Sequence, residues 1–280
     1  MREIPVSDIG AALVKCIEQA NFSLGRAERG ALAAARARET SPTGRAILNQ
    51  LLENADIAEA ERRPLCQDTG VAVVFLEVGQ EVRLTSGGLE DAVQEAVRDA
   101  YSRFYLRKSI LDHPLTRKNT GDNTPAVIHT RIMPGDKVRI VFDAKGGGCE
   151  NMSRLAMLTP SAGREGVVDF VVKAVAEAGG NPCPPVVVGV GLGGTFEKAA
   201  LMAKQALLRP LGEPAAHPED RRLEEELLAK INATGVGPMG LGGVSTALAV
   251  HVISHPCHLA ALPVAVNLDC HSHRHSEATI

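Results

Sequence analysis

The chain has no tryptophan, two tyrosines and six phenylalanines in 280 residues, so its 45 % apolar content must build an aliphatic core. It has no long run of either charge sign, and its formal net charge is −3. Phosphate binding needs clustered lysine and arginine, so nucleic acid is not expected as the main partner. No window approaches the roughly 18 uninterrupted apolar residues of a membrane span. Met1-Arg2-Glu3-Ile4-Pro5 lacks the apolar core of a secretion signal. A cytoplasmic protein is the expectation. The cysteines, at 16, 66, 149, 183, 257 and 270, are too scattered for the disulfide framework of a small secreted domain. In a reducing compartment such cysteines are core residues, catalytic groups or metal ligands. Cys16 lies in an amphipathic helical pattern and reads as a small core residue.

What the chain does have is chemistry concentrated in loops. Pro64-Leu65-Cys66-Gln67-Asp68-Thr69-Gly70 places a thiol, a carboxamide and a carboxylate side by side, just before the apolar run Val71–Phe75. Pro64 restricts the approach and Gly70 permits a turn, so Cys66 to Asp68 read as a loop at a strand edge. Two more cysteines have similar settings, in Asn181-Pro182-Cys183-Pro184-Pro185 and in Asn267-Leu268-Asp269-Cys270-His271. We read Cys66, Cys183 and Cys270 as ligands of one metal cluster, with Gln67 and Asp68 facing it.

The remaining pattern mixes helices and strands without strict alternation, which predicts an α+β (mixed α/β) fold. Helices are expected over 7–20 with Ser7 as cap, and over 26–40, 45–62, 89–106, 164–178, 195–208 and 218–232. Strands are expected over 71–78, 81–84, 126–133, 137–144, 186–190, 247–253 and 262–268. Pro134-Gly135-Asp136 suggests that 126–133 and 137–144 form a hairpin. A single domain over 1–280 is expected, with a helical block at about 1–62 and a cluster-binding α/β body at about 63–280. The polar segment 106–125 is too long and hydrophilic to bury itself. Its Arg107, Lys108, Arg117 and Lys118 could meet a carboxylate or form a solvated basic surface. Lys145-Gly146-Gly147-Gly148-Cys149-Glu150 could present backbone N–H groups to an anion.

Three chemistries fit these residues. The first is a hydro-lyase in which a cluster held by three thiolates leaves one iron open as a Lewis acid. Such a site also needs an acid, a base and carboxylate-binding donors, and Asp68, His258, Arg107 and the Gly146–Gly148 turn are of those kinds. The second is nucleotide binding by Gly189-Val190-Gly191-Leu192-Gly193-Gly194, which fits G-x-G-x-x-G. No later strand carries the ribose-binding acid, so the glycines could equally bind a carboxylate or permit tight packing. The third is a zinc site, or a non-catalytic scaffold, around His251, His255, Cys257, His258 and the alternating His271, His273 and His275. A solvated tail is the plainer reading of His273.

The motifs around 64–70, 106–125, 143–151, 181–198 and 255–275 resemble the iron–sulfur (class I) fumarate hydratases and L-tartrate dehydratases. The match is to the alpha subunit of two-subunit forms, or the N-terminal half of fused ones. The resemblance implies a class I fumarase alpha-domain-like fold and a [4Fe–4S] cluster on Cys66, Cys183 and Cys270. It implies substrate contacts from Gln67, Asp68, Arg107 and the backbone at Gly147, with Asp68 and His258 catalytic. The substrate would be a four-carbon dicarboxylic 2-hydroxy acid, malate/fumarate first or else L-tartrate. A beta subunit would complete the site in an alpha2beta2 assembly, and an alpha–alpha homodimer is a further expectation. Cys149 stands where the resemblance leads one to expect serine, and Cys257 where it leads one to expect threonine.

Overall fold

The computed structural model describes all 280 residues. In chain order the elements are β1 (Arg2–Pro5), α1 (Val6–Phe22), α2 (Arg26–Arg38), α3 (Pro42–Glu61), β2 (Val71–Gly79), β3 (Val82–Thr85), α4 (Leu89–Arg103), β4 (Val127–Met133), β5 (Val138–Lys145), the single turn α5 (Gly147–Glu150), β6 (Arg154–Leu158), α6 (Gly163–Ala178), β7 (Val186–Gly193), α7 (Phe196–Leu207), α8 (Pro218–Asn232), β8 (Ala247–His255), β9 (Leu262–Asp269) and β10 (His275–Thr279). The mixed α+β class is as expected. No helix is long and apolar enough to cross a membrane. The chain divides into two compact units. The first comprises Met1–Gly25, Ala55–Gly147 and Arg274–Ile280, and the second Arg26–Asn54 and Gly148–His273. The helices at the N-terminal end are thus shared between the two.

The first unit is built on a four-stranded sheet in the order β10-β5-β2-β4, with a small parallel pair β1-β3 beside it. β2 is buried along nearly its whole length, the pattern of a central strand. Helices α1 and α4 close its core, with Ile9, Leu13, Ile17, Val93, Val97 and Tyr101 packed on Val74, Leu76, Ile140 and Phe142. The core is aliphatic apart from a few rings, as the composition requires. Two expectations fail here. β4 and β5 do not form a hairpin: β4 pairs parallel with β2, β5 pairs antiparallel with β2, and β2 lies between them. The Pro134-Gly135-Asp136 turn crosses the end of β2 instead, and its Gly135 carbonyl accepts from Glu81 N–H at 3.0 Å. The buried β2 takes the centre because it has no polar face, whereas β4 is largely exposed and suits an edge. Ser7 is not a cap either. α1 begins at Val6 behind Pro5, with no side-chain cap.

The second unit has a four-stranded sheet in the order β6-β9-β7-β8. In β7 alternate residues face opposite ways. Val186, Val188 and Val190 pack with Val171 and Val175 of α6 and Leu223 and Leu227 of α8. On the other face Gly189 and Gly191 lie under α7. A Cβ at Gly189 would come within 2.1 Å of the Ala203 carbonyl, and one at Gly191 within 2.0 Å of the Ala199 carbonyl. The sheet is therefore covered on both faces, and helix approach on one face demands glycine.

Candidate functional site

In the first unit the register of one strand pair gathers three of the motif stretches. β2 and β5 run antiparallel with Val71 opposite Lys145. The loop before β2 and the loop after β5 therefore emerge at the same end. Asp68 spans them. Its Oδ2 accepts from Gly147 N–H at 2.8 Å, and its Oδ1 accepts from Gly70 N–H at 3.1 Å. Gly70 has φ +76, and a Cβ there would meet the Lys145 carbonyl at 2.7 Å, so no other residue fits. The loop is pinned from below. Leu65 N–H donates to Asn21 O at 2.8 Å, and the Tyr101 hydroxyl donates to Thr69 O at 2.8 Å. Burial pushes the Tyr101 phenol far above its usual range, so it stays a donor. The Thr69 hydroxyl donates to Arg107 O at 3.1 Å, and Asn123 Nδ2 donates to Gly70 O at 3.1 Å, which ties in both ends of the 106–125 segment. Cys66 and Asp68 are half-buried, while Gln67, Arg107 and Gly147 are exposed. The Gly147 N–H is committed to Asp68 and orients that carboxylate.

Sequence reasoning passed over three residues here. Tyr101 reads as helix core, but its hydroxyl holds the Asp68 loop. Asn123 is fully buried with φ +64, and it bonds Gly70 O while accepting from Ser109 N–H at 2.7 Å. Arg274 is 5 % exposed, and a Cβ at Gly146 would lie 3.7 Å from its Nη2 and 3.6 Å from Asp68 Oδ2. The only hint of Arg274 in the sequence is its place four residues after Cys270.

The second unit repeats the device. β7 and β9 run antiparallel with Val187 opposite Asp269. The loop before β7, carrying Cys183, therefore meets the loop after β9, carrying Cys270. His271 donates to Cys183 O from its ring Nδ1 at 3.1 Å and from its backbone N–H at 3.4 Å. Cys270 Sγ lies 2.9 Å from the Ser272 hydroxyl. His273 Nδ1 is 2.9 Å from Asp269 Oδ2, and His273 N–H donates to Cys270 O at 3.1 Å. His273 is 3 % exposed, and His275 opens β10, which pairs with β5, so this stretch is no solvated tail. The strand pairing that orders it lies more than a hundred residues away in the chain.

His258 lies in the turn between β8 and β9. It is exposed, and its Nδ1 accepts from Ala260 N–H at 3.1 Å within its own turn, so the ring carries its proton on Nε2. Cys257 is exposed and bonds Ala261 O, whereas Cys149 is buried and bonds Pro182 O at 3.4 Å. Burial raises the Cys16 thiol pKa despite a hydrogen bond from Ser276, as suits a core residue. Of the histidines considered for zinc, His251 and His255 do not converge. His251 is buried in β8 against Ala206 O, and His255 lies four strand residues on, about 13 Å away. The glycines of the G-x-G-x-x-G match lie in strand β7 through Gly193, not in a strand-to-helix loop, and packing accounts for them.

Only half-buried thiols are both reachable and sheltered, and Cys66, Cys183 and Cys270 are the three half-buried ones, none of them in a disulfide. Three thiolate donors suit an iron–sulfur group. In the first unit Asp68 is a fixed carboxylate and Arg107 an exposed cation. Comparison with known proteins identifies the family. A model of the fumarate hydratase (Fumerase) family matches residues 11–279. The chain is 41 % identical over 275 residues to a putative L(+)-tartrate dehydratase subunit alpha of Methanocaldococcus jannaschii, covering 96 % of this chain and 95 % of that protein. It is 38 % identical over 239 residues to the L(+)-tartrate dehydratase subunit alpha of Escherichia coli K12, covering 84 % of this chain and 78 % of that protein. The chain therefore belongs to the fumarate hydratase (Fumerase) family of hydro-lyases.

Proposed function

We propose that this chain is the alpha subunit of a hydro-lyase that adds water to, or removes it from, a four-carbon dicarboxylic 2-hydroxy acid. The observation that supports the reading is the meeting of the Cys183 and Cys270 loops through His271, since these loops carry two of the three half-buried cysteines. Cys66, Cys183 and Cys270 would hold a [4Fe–4S] cluster. When bound, such a cluster supplies an iron with an open position, a Lewis acid for a hydroxyl and a carboxylate oxygen. Asp68 is held by an N–H on each oxygen and keeps lone pairs on both, so it can accept a substrate hydroxyl or take a proton. Arg107 binds a substrate carboxylate, and Gln67 offers an amide beside it. His258, with its proton on Nε2, is the proposed proton donor to the departing oxygen. Dehydration removes the carbon-bound proton and the hydroxyl, releases water and leaves an alkene or, from tartrate, an enol that becomes a keto acid.

The relatives are named as alpha subunits, and a beta subunit in an alpha2beta2 assembly would complete the site. A cytoplasmic location is part of the proposal. Anaerobic reconstitution with iron and sulfide tests the cofactor. The expected result is about four iron and four sulfide per chain, lost when any of Cys66, Cys183 or Cys270 becomes serine and kept in Cys16→Ser. Iron content unaffected by all three serine variants would sink the ligand set. With the beta subunit added, water loss from L-tartrate against L-malate decides the substrate.

A further inference from the structure

The residue after one proposed ligand holds the carbonyl of another. A carbonyl oxygen only accepts, so His271 must carry its proton on Nδ1, and both its ring and backbone N–H groups converge on Cys183 O at 3.1 and 3.4 Å. Cys183 has φ +55, in the left-handed region that a residue with a Cβ enters at a cost. Cys183 N–H donates to Gly180 O at 3.0 Å, and Pro184 O accepts from Met239 N–H at 2.7 Å. Of these bonds, only the pair from His271 comes from the loop of the second thiol, 88 residues away. On the same tripeptide the Ser272 hydroxyl lies 2.9 Å from Cys270 Sγ, so the two residues after Cys270 address both sulfur-bearing segments.

We infer that His271 is a positioning residue that fixes Cys183 and Cys270 as a preformed pair of thiolate ligands before metal arrives. This rests on the ligand assignment proposed above. The tie joins the two loops within the protein, so its effect is to spare the metal their ordering, which is how outer partners of ligands raise affinity. Asparagine is the conservative replacement, because its Nδ2–H falls near the position of the imidazole Nδ1–H.

The experiment uses the full-length apoprotein and cobalt(II) alone, read by thiolate-to-cobalt charge-transfer absorption. A parallel reading follows the rate at which the reconstituted protein loses iron to a chelator without oxygen. His271→Ala is expected to weaken cobalt binding about tenfold or more and to speed iron loss similarly, with His271→Asn restoring most of both. If Ala and Asn both match the parent while Cys183→Ser and Cys270→Ser lose the absorption, the tie is overturned and the ligand assignment stands. If Ala and Asn fail alike, the ring N–H is not the positioning bond, and the inference is also overturned. If the parent shows no thiolate absorption, or the serine variants keep it, the ligand assignment itself falls.

Discussion

Glu39 offers the sharpest test of how the second unit holds its shape. It follows α2, is 1 % exposed, and carries a charge that burial alone would expel. Backbone groups compensate. Oε1 accepts from Thr40 N–H and Ser41 N–H at 3.0 Å each and from Val244 N–H at 3.1 Å, and Oε2 shares Val244 N–H at 3.2 Å. Glycine permits the approach, since a Cβ at Gly243 would lie 2.7 Å from Oε1. Burial raises the carboxyl pKa, but the hydrogen bonds from Ser41, Val244, Ser245 and Thr40 outweigh it and hold it below the usual value. Glu39→Gln keeps the shape, removes the charge and turns an amide donor towards donors. Charge-assisted bonds are worth roughly 1.5–3 kcal/mol, so a loss of about 2 kcal/mol is expected at pH 7. That is a fall of roughly 4–8 °C in melting midpoint for a unit of this size. Because the folded carboxyl has the lower pKa, its contribution is full above the unfolded value of 4.5 and fades as pH falls through the folded one. The gap between parent and Gln variant should therefore shrink below pH 4.5. Equal stability at pH 7, or a gap undiminished in acid, would refute the reasoning. Val244 closes the glycine loop whose Met239 N–H holds Pro184 O, so the variant should also quicken alkylation of Cys183 in the apoprotein.

Gly191→Ala should cost about 3 kcal/mol or force α7 off the sheet, read by chemical denaturation, because its Cβ would lie 2.0 Å from the Ala199 carbonyl. Gly30→Ala, inside α2 with nothing within 4 Å, should instead stabilise by about 0.5–1 kcal/mol. Tyr101→Phe should cost about 1–2 kcal/mol by taking the donor from Thr69 O. Since burial raises the Tyr101 pKa, the parent loses stability as pH rises above about 10, and the Phe variant should lack that alkaline fall in melting midpoint. Asp68→Asn sets an amide against the Gly70 or Gly147 N–H and should lower turnover of the reconstituted enzyme about 10²–10⁴-fold. Unchanged turnover would remove Asp68 from the acid–base role.

What the sequence discloses, and what it hides, follows from the range of the interaction involved. The helix over Pro218–Asn232 is legible to the residue, since proline starts it and its period is local. The Cys66, Cys183 and Cys270 loops are legible as well, because reactive side chains between proline, glycine and strand patterns are a local signal. The sequence misled where a distant strand decides. Pro134-Gly135-Asp136 reads as a hairpin turn, yet burial of β2 separates the two strands it joins. The histidines from 271 onward read as a polar tail, yet β5 captures His275–Thr279 as a strand. Tyr101 and His271 are invisible as site residues for the same reason: each acts on a carbonyl far away in the chain. Both loop clusters rest on one arrangement. An antiparallel pair, β2 with β5 in one unit and β7 with β9 in the other, sets the loop entering its first strand beside the loop leaving its second. Because side chains alternate along a strand, a one-residue slip of β7 would turn Val186, Val188 and Val190 out of their core and under α7, where only glycine fits. The alternation of valine and glycine that builds this core therefore also fixes the register that brings Cys183 to His271. Stability and site geometry are set by the same residues, so a core substitution that shifts register should disable the site before it unfolds the unit.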